Sequence, residues 1–254
     1  NVLSAANTLI GQSSHRAYEK TLWSAMGPGD RVRVLSGPDE AGEAERVATE
    51  ISAHKLRTGN AYGDYAVLYR GNFQSRAFEK ALRERNVPYR VSGGRSFFER
   101  SEIRDLVTYL KLLVNPDDDA AFLRIINLPR RELGPATLEA LARYAGTRHI
   151  SLFDAARGVG LAGGVGERPG RRLAEFVDWA KALAMAGEST PPRELVNQLM
   201  VDIDYRDWLR DTSANTRAAK KRLENLDEFL AWLGHIGEAD DGTPTPLADV
   251  VRRL

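Results

Sequence analysis

The chain contains no cysteine, which removes disulfides, thiolate metal sites and cysteine nucleophiles together. Its 4 histidines, His15, His54, His149 and His235, are scattered, so no metal site is expected. No apolar run approaches the roughly 20 residues that cross a bilayer, and no membrane partner is expected. Asn1 to Asn7 shows neither a basic leader nor an apolar core, and with the missing cysteines this points to a globular protein of the reducing cytoplasm. An excess of one charge is also missing. The 36 Lys+Arg oppose 35 Asp+Glu for a net +1, so charge alone indicates no nucleic-acid partner. Nor does a Gly-Lys dipeptide occur, which excludes a phosphate loop of the G-x-x-x-x-G-K-[ST] kind within these residues.

What is present divides near residue 95. Before it, Arg31-Val32-Arg33-Val34-Leu35 alternates with period two, and Pro38-Asp39-Glu40 supplies a helix start for Ala44, Val47, Ala48 and Ile51. A second strand, Tyr65 to Tyr69, precedes a helix carrying Ala77, Phe78, Ala81 and Leu82, and Tyr89-Arg90-Val91 forms a short third strand ending at Ser92-Gly93-Gly94. Strand, helix, strand, helix, strand predicts a thin parallel sheet layer, normally covered on both faces. Beyond it only helical periodicity remains, with stripes at Ile103 to Val114, Phe122 to Leu128, Leu138 to Tyr144, Leu173 to Leu183, Leu195 to Ile203 and Leu223 to Leu233. Gly158 to Gly170 and Gly237 to Pro246 read as mobile loops. The predicted class is α/β followed by all-α, with residues 1–95 and 96–254 as the two parts.

Several patterns have ordinary explanations. Gly158-Val159-Gly160-Leu161-Ala162-Gly163 matches the dinucleotide fingerprint G-x-G-x-x-G, but a helix rather than a strand precedes it, which favours a loop. Asp39-Glu40 and Asp117-Asp118-Asp119 suit helix caps better than a magnesium box or a metal site. Trp23, Trp179, Trp208 and Trp232 read as core residues.

Two segments carry more. In Arg130-Arg131-Glu132-Leu133-Gly134-Pro135-Ala136-Thr137, a helix is expected to end at Pro129, and a glycine turn to precede a helix from Ala136 with Pro135 in its first turn. Such a helix start offers backbone N–H groups to a phosphate, with Arg130, Arg131, Gly134, Ala136 and Thr137 around it, although a plain helical hairpin needs the same Gly and Pro. Tyr69-Arg70-Gly71-Asn72-Phe73-Gln74-Ser75-Arg76 follows an apolar strand, where an aromatic face and guanidinium groups suit an adenine and a phosphate. A solvated loop is the plainer reading.

Five stretches in order, Ala66 to Arg76, Val87 to Phe98, Glu102 to Leu106, Asn115 to Asp119 and Leu133 to Thr137, resemble the UvrD/Rep/PcrA family of superfamily 1 DNA helicases, nearest its Rep branch. The resemblance runs from Asn7 to the end of the chain. It implies an ATP-driven, Mg2+-dependent motor moving 3' to 5' on single-stranded DNA and separating duplex. Residues 1–95 would be the first part of the RecA-like motor subdomain called 2A, and 96–254 its helical insertion, 2B. Tyr69 would stack on adenine, Arg70 would reach the γ-phosphate as the catalytic arginine finger, and the Gly134 turn would hold the duplex backbone. Partners implied are single-stranded and duplex DNA, the remaining motor subdomains, and a helicase dimer or replication and repair proteins. Lacking the phosphate loop, the acidic magnesium box and later motifs, these residues alone are expected to bind no ATP or Mg2+ and to be inactive. The alternative is a non-catalytic helicase-like module that binds DNA or protein.

Overall fold

The structure, a computed structural model, describes every residue except 13–20, 26, 28, 93–95, 161, 163 and 238–242. Gly93 and Gly94, two positions of the glycine fingerprint and part of the second expected loop therefore lie outside the described residues.

Among the described residues, three α-helices occupy the first part: α1 (Val2–Gly11), α2 (Glu40–Thr58) and α3 (Ser75–Glu84). Helix α2 starts where the Asp39 carboxylate accepts a hydrogen bond from the Gly42 amide at 2.8 Å. It stops at Gly59, whose φ of 75° lets its N–H turn back to the Lys55 carbonyl. The acidic pair is thus a cap and a first turn, as its position before an apolar stripe suggests. Helices α2 and α3 pack through Ala44, Ala48, Ala81, Leu82 and Val87, with Ile51, Ala77, Phe78 and Tyr89 at the margin.

The expected parallel sheet layer is not present. Among the described residues there is no strand: 31–35, 65–69 and 89–91 are irregular, and no backbone hydrogen bond joins one to another. Val34 is 93% exposed and Leu68 92%. Period-two alternation specifies a buried face but not a neighbour, and a strand obtains its hydrogen bonds only from an adjacent strand. Trp23, expected in a core, is 80% exposed.

The second part is helical, as its periodicity suggests. It comprises α4 (Ser101–Val114), α5 (Asp119–Ile125), α6 (Pro135–Arg148), α7 (Leu152–Gly158), α8 (Glu167–Ala186), α9 (Pro192–Asp202), α10 (Tyr205–Thr212), α11 (Thr216–Ile236) and α12 (Leu247–Arg252). Helix α4 is the hub, packed on α5, α8, α11 and α12, with Ile103, Leu106 and Leu110 fully enclosed. One apolar cluster runs from Phe97 to Val250. Several polar groups inside it are paired: Asn225 on α11 donates to Glu102, while Arg124 and Tyr205 both donate to Asp105, although the Nε atoms of Arg100, Arg124 and Arg222 are buried without a hydrogen-bond partner. Burial pushes the Asp105 carboxyl above its ordinary range against the pull of Arg124, and burial also raises the Tyr205 phenol.

Three local details differ from the sequence reading. Helix α5 ends at Ile125 rather than Pro129. The glycine loop is shorter than expected, because α8 starts at Glu167 and takes Gly170 into its first turns against Gly160; a Cβ on Gly170 would sit 2.8 Å from the Gly160 Cα. Helices α1, α10 and α12 match no stripe read from the sequence; α10 buries only Tyr205 and Leu209 among charged neighbours. Asp118 does cap α5 through the Ala121 amide at 2.9 Å, and Asp119 accepts from the Leu152 amide at the start of α7.

The two parts are fastened at α3. Buried Glu79 accepts hydrogen bonds from the Ser96 hydroxyl, the Phe97 amide and the Tyr89 phenol. Arg76 and Lys80 both pair with Glu228 on α11, and the Trp232 indole donates to Glu84 at 2.8 Å.

Candidate functional site

The segment Tyr69 to Gln74 carries the main chain from an extended run into α3. Tyr69 is half-buried and lies parallel to Phe78, with ring centroids 6.4 Å apart and planes 13° apart. Arg70 is exposed, and its guanidinium has no hydrogen-bond or ion-pair partner among the described residues. An unpaired, solvated guanidinium is free to meet an anion, whereas Arg76, six residues on, is bound to Glu228 at 2.5 Å. The backbone here is fixed by Gln74: its side-chain oxygen accepts from the Arg70 amide at 3.2 Å and the Gly71 amide at 3.0 Å, while its own amide donates to the Gly71 carbonyl.

The turn before α6 is built differently from the sequence expectation. Gly134 is the N-cap with φ −74° and ψ 166°, an extended conformation open to any residue, and a Cβ there would touch nothing within 4 Å. The left-handed position is Glu132, at φ 55°. Its carboxylate pairs with Arg172 at 2.6 Å and Arg168 at 3.2 Å, and the Arg172 hydrogen bond and charge hold it below the usual carboxylate range. Asn127 bridges the loop, accepting from the Arg131 and Leu133 amides and donating to the Leu133 carbonyl at 2.5 Å.

Arg131 points inward. Its guanidinium donates to the Ile125 and Ile126 carbonyls, each at 3.1 Å, and to Tyr109, and it covers the Phe176 ring. It satisfies the carbonyl end of α5 instead of facing solvent. Arg130 is exposed and unpaired among the described residues. At the start of α6, Pro135 has no N–H and the Thr137 amide turns back to the Gly134 carbonyl at 3.0 Å. Among the described residues the Ala136 amide and the Thr137 hydroxyl have no partner, so Arg130, Ala136 and Thr137 offer unpaired donors on the frame that Asn127, Arg131 and Glu132 hold.

A family model for the UvrD-like helicase C-terminal domain matches residues 1–159, which include both segments. The chain belongs to the UvrD-like helicases. Relatives named ATP-dependent DNA helicase Rep, from Salmonella typhimurium and Escherichia coli, are each 44% identical over all 254 residues. ATP-dependent DNA helicase PcrA from Staphylococcus epidermidis is 38% identical over 232 residues, 91% of this chain. The chain spans 37% of the length of the two Rep relatives and 31% of that of the PcrA relative. In this UvrD-like chain no helix among the described residues is long and apolar enough to cross a membrane.

Sequence reasoning missed the frame residues. Asn127 and Glu132 act through a folded turn, and no local pattern announces that. It also could not see the groove of about 450 Å³ between α2, α3 and α11. There Glu45, Glu84 and His235 bring donor atoms within 4.8 Å of one another. Glu84 is committed to the Trp232 indole and the other two are exposed, which makes this group a solvated polar rim.

Proposed function

We propose that the chain is the part of an ATP-dependent DNA helicase that completes the nucleotide site from one side and holds duplex DNA on the other. The observation that carries this reading is 44% identity along the whole chain to proteins named ATP-dependent DNA helicase Rep. Residues 1–95 are assigned to the 2A motor subdomain and 96–254 to the 2B insertion, with translocation 3' to 5' and action in the bacterial cytoplasm. Tyr69 receives the adenine on its solvent side. Arg70, solvated and unpaired, meets the γ-phosphate. Phosphate cradling and Mg2+ ligation fall to the remaining motor segments, because this sequence has no Gly-Lys phosphate loop. The insertion meets the DNA backbone through Arg130, Ala136 and Thr137, contacts that position a duplex without reading its bases.

A guanidinium that matches charge developing on a transferred phosphoryl group acts mainly in the transition state. In the complete helicase, Arg70→Ala is expected to lower kcat by about 10³-fold or more with little change in ATP affinity. Lysine is a poor substitute because it lacks the planar fork. Turnover within a few-fold of wild type would remove Arg70 from the reaction. Tyr69→Phe keeps the ring face and is expected to bind ATP normally, while Tyr69→Ala weakens binding.

A further inference from the structure

We propose that Gln74 is a positioning residue for Arg70, an inference that rests on the reading of Arg70 given above. Gln74 uses one carboxamide oxygen to accept two consecutive amides, Arg70 at 3.2 Å and Gly71 at 3.0 Å. Its backbone N–H closes the loop in the opposite sense by donating to the Gly71 carbonyl at 3.0 Å. The Ser75 hydroxyl ties down the Asn72 carbonyl at 2.9 Å, so the peptide groups around Arg70 are anchored to the start of α3. Helix α3 in turn is locked to the rest of the protein by Glu79, Arg76 and Lys80. The guanidinium of Arg70 is the free end of an otherwise fixed assembly. A finger of this kind is effective when its Cα and exit direction are set before the phosphate arrives, because ordering them during reaction would subtract from the stabilisation it provides. Gln74 touches no reacting atom and sets that direction through two backbone hydrogen bonds.

The inference is tested with Gln74→Leu, which keeps the bulk and removes the acceptor, and Gln74→Glu, which keeps an acceptor for both amides. In the 254-residue chain, hydrogen exchange at the Arg70 and Gly71 amides should accelerate about tenfold in Gln74→Leu and stay slow in Gln74→Glu. In the complete helicase, Gln74→Leu should lower kcat about tenfold at nearly unchanged KM for ATP, and Gln74→Glu should restore most of it. A rise in KM with kcat intact would overturn the positioning role, as would full turnover in a Gln74→Leu enzyme in which Arg70→Ala is strongly impaired. An Arg70→Ala enzyme of normal turnover overturns the reading beneath it. Unchanged exchange at both amides in a folded Gln74→Leu chain overturns the inference even where kcat falls.

Discussion

Leu106 and Leu68 are the same side chain in two regions with opposite fates. The first, on α4, is fully enclosed by helices; the second, in the extended run before Tyr69, is 92% exposed. A helix satisfies its own backbone, so an amphipathic helix needs only an apolar partner surface, and the nine helices among the described residues between Ser101 and Arg252 supply one another with it. An extended segment must first find a neighbour for its N–H and C=O groups. In the first region α2 and α3 cover each other through a handful of small side chains, while the segments that would lie beneath them have no ladder. The same local pattern strength therefore yields a closed core in one region and an open surface in the other.

The widest gap between the regions should appear on truncation of these two leucines. Leu106→Ala is expected to cost about 3 kcal/mol through lost burial and a residual cavity. Leu68→Ala should stay within about 0.5 kcal/mol. Urea denaturation followed by circular dichroism measures both, and equal losses would mean that Leu68 is covered in solution. The next effect tests whether the regions unfold together. Glu79→Ala strands the Ser96 hydroxyl and the Phe97 amide and should cost about 2 kcal/mol. The Trp232 fluorescence transition should shift with it, and an unmoved transition would mean that this joint does not couple the regions.

Smaller effects sharpen the contrast on the side proposed to face DNA. Thr137→Ala should weaken duplex affinity by about 1 kcal/mol, and Arg130→Ala should reduce the logarithmic salt slope by about one. Gly134→Ala should leave both folding and binding near wild type, since Gly134 is extended with open space at its Cβ. Fluorescent-duplex titrations at several salt concentrations separate these outcomes, and a strong Gly134→Ala defect would show that the turn is shaped otherwise. The smallest effect is a pH dependence. Arg172 depresses the Glu132 carboxyl, so its contribution to stability is present above the ordinary carboxylate range and is lost as pH falls through the lowered value. Glu132→Gln should flatten that acid limb, which melting curves across mildly to strongly acidic pH would reveal.

Much of this protein was legible along the chain. The stripes from Ile103 to Leu233 mark most of the helices, Asp39 and Asp118 announce their caps, and Pro135 marks the start of α6. The order of motifs around Tyr69, Arg70 and Gly134 resembles the helicase family that the matched family model shows. Helix periodicity and capping are readable because their causes lie within four residues of one another.

Contacts between distant segments were not legible. Arg130 and Arg131 are adjacent and chemically identical, yet one faces solvent and the other closes the end of α5 against Tyr109 and Phe176; only the path of the turn separates them. Glycine at 134 suggested a special backbone, while the tertiary turn puts the left-handed residue at Glu132, where Arg168 and Arg172 from α8 hold it. Alternation in 31–35 and the apolar run 65–69 suggest strands, but pairing is a property of two segments and not of one. The sequence by itself determined most of the helices, the caps at Asp39 and Asp118, and the family. Tertiary structure decided which arginines are free, because freedom to meet a phosphate depends on what every other part of the chain leaves unpaired.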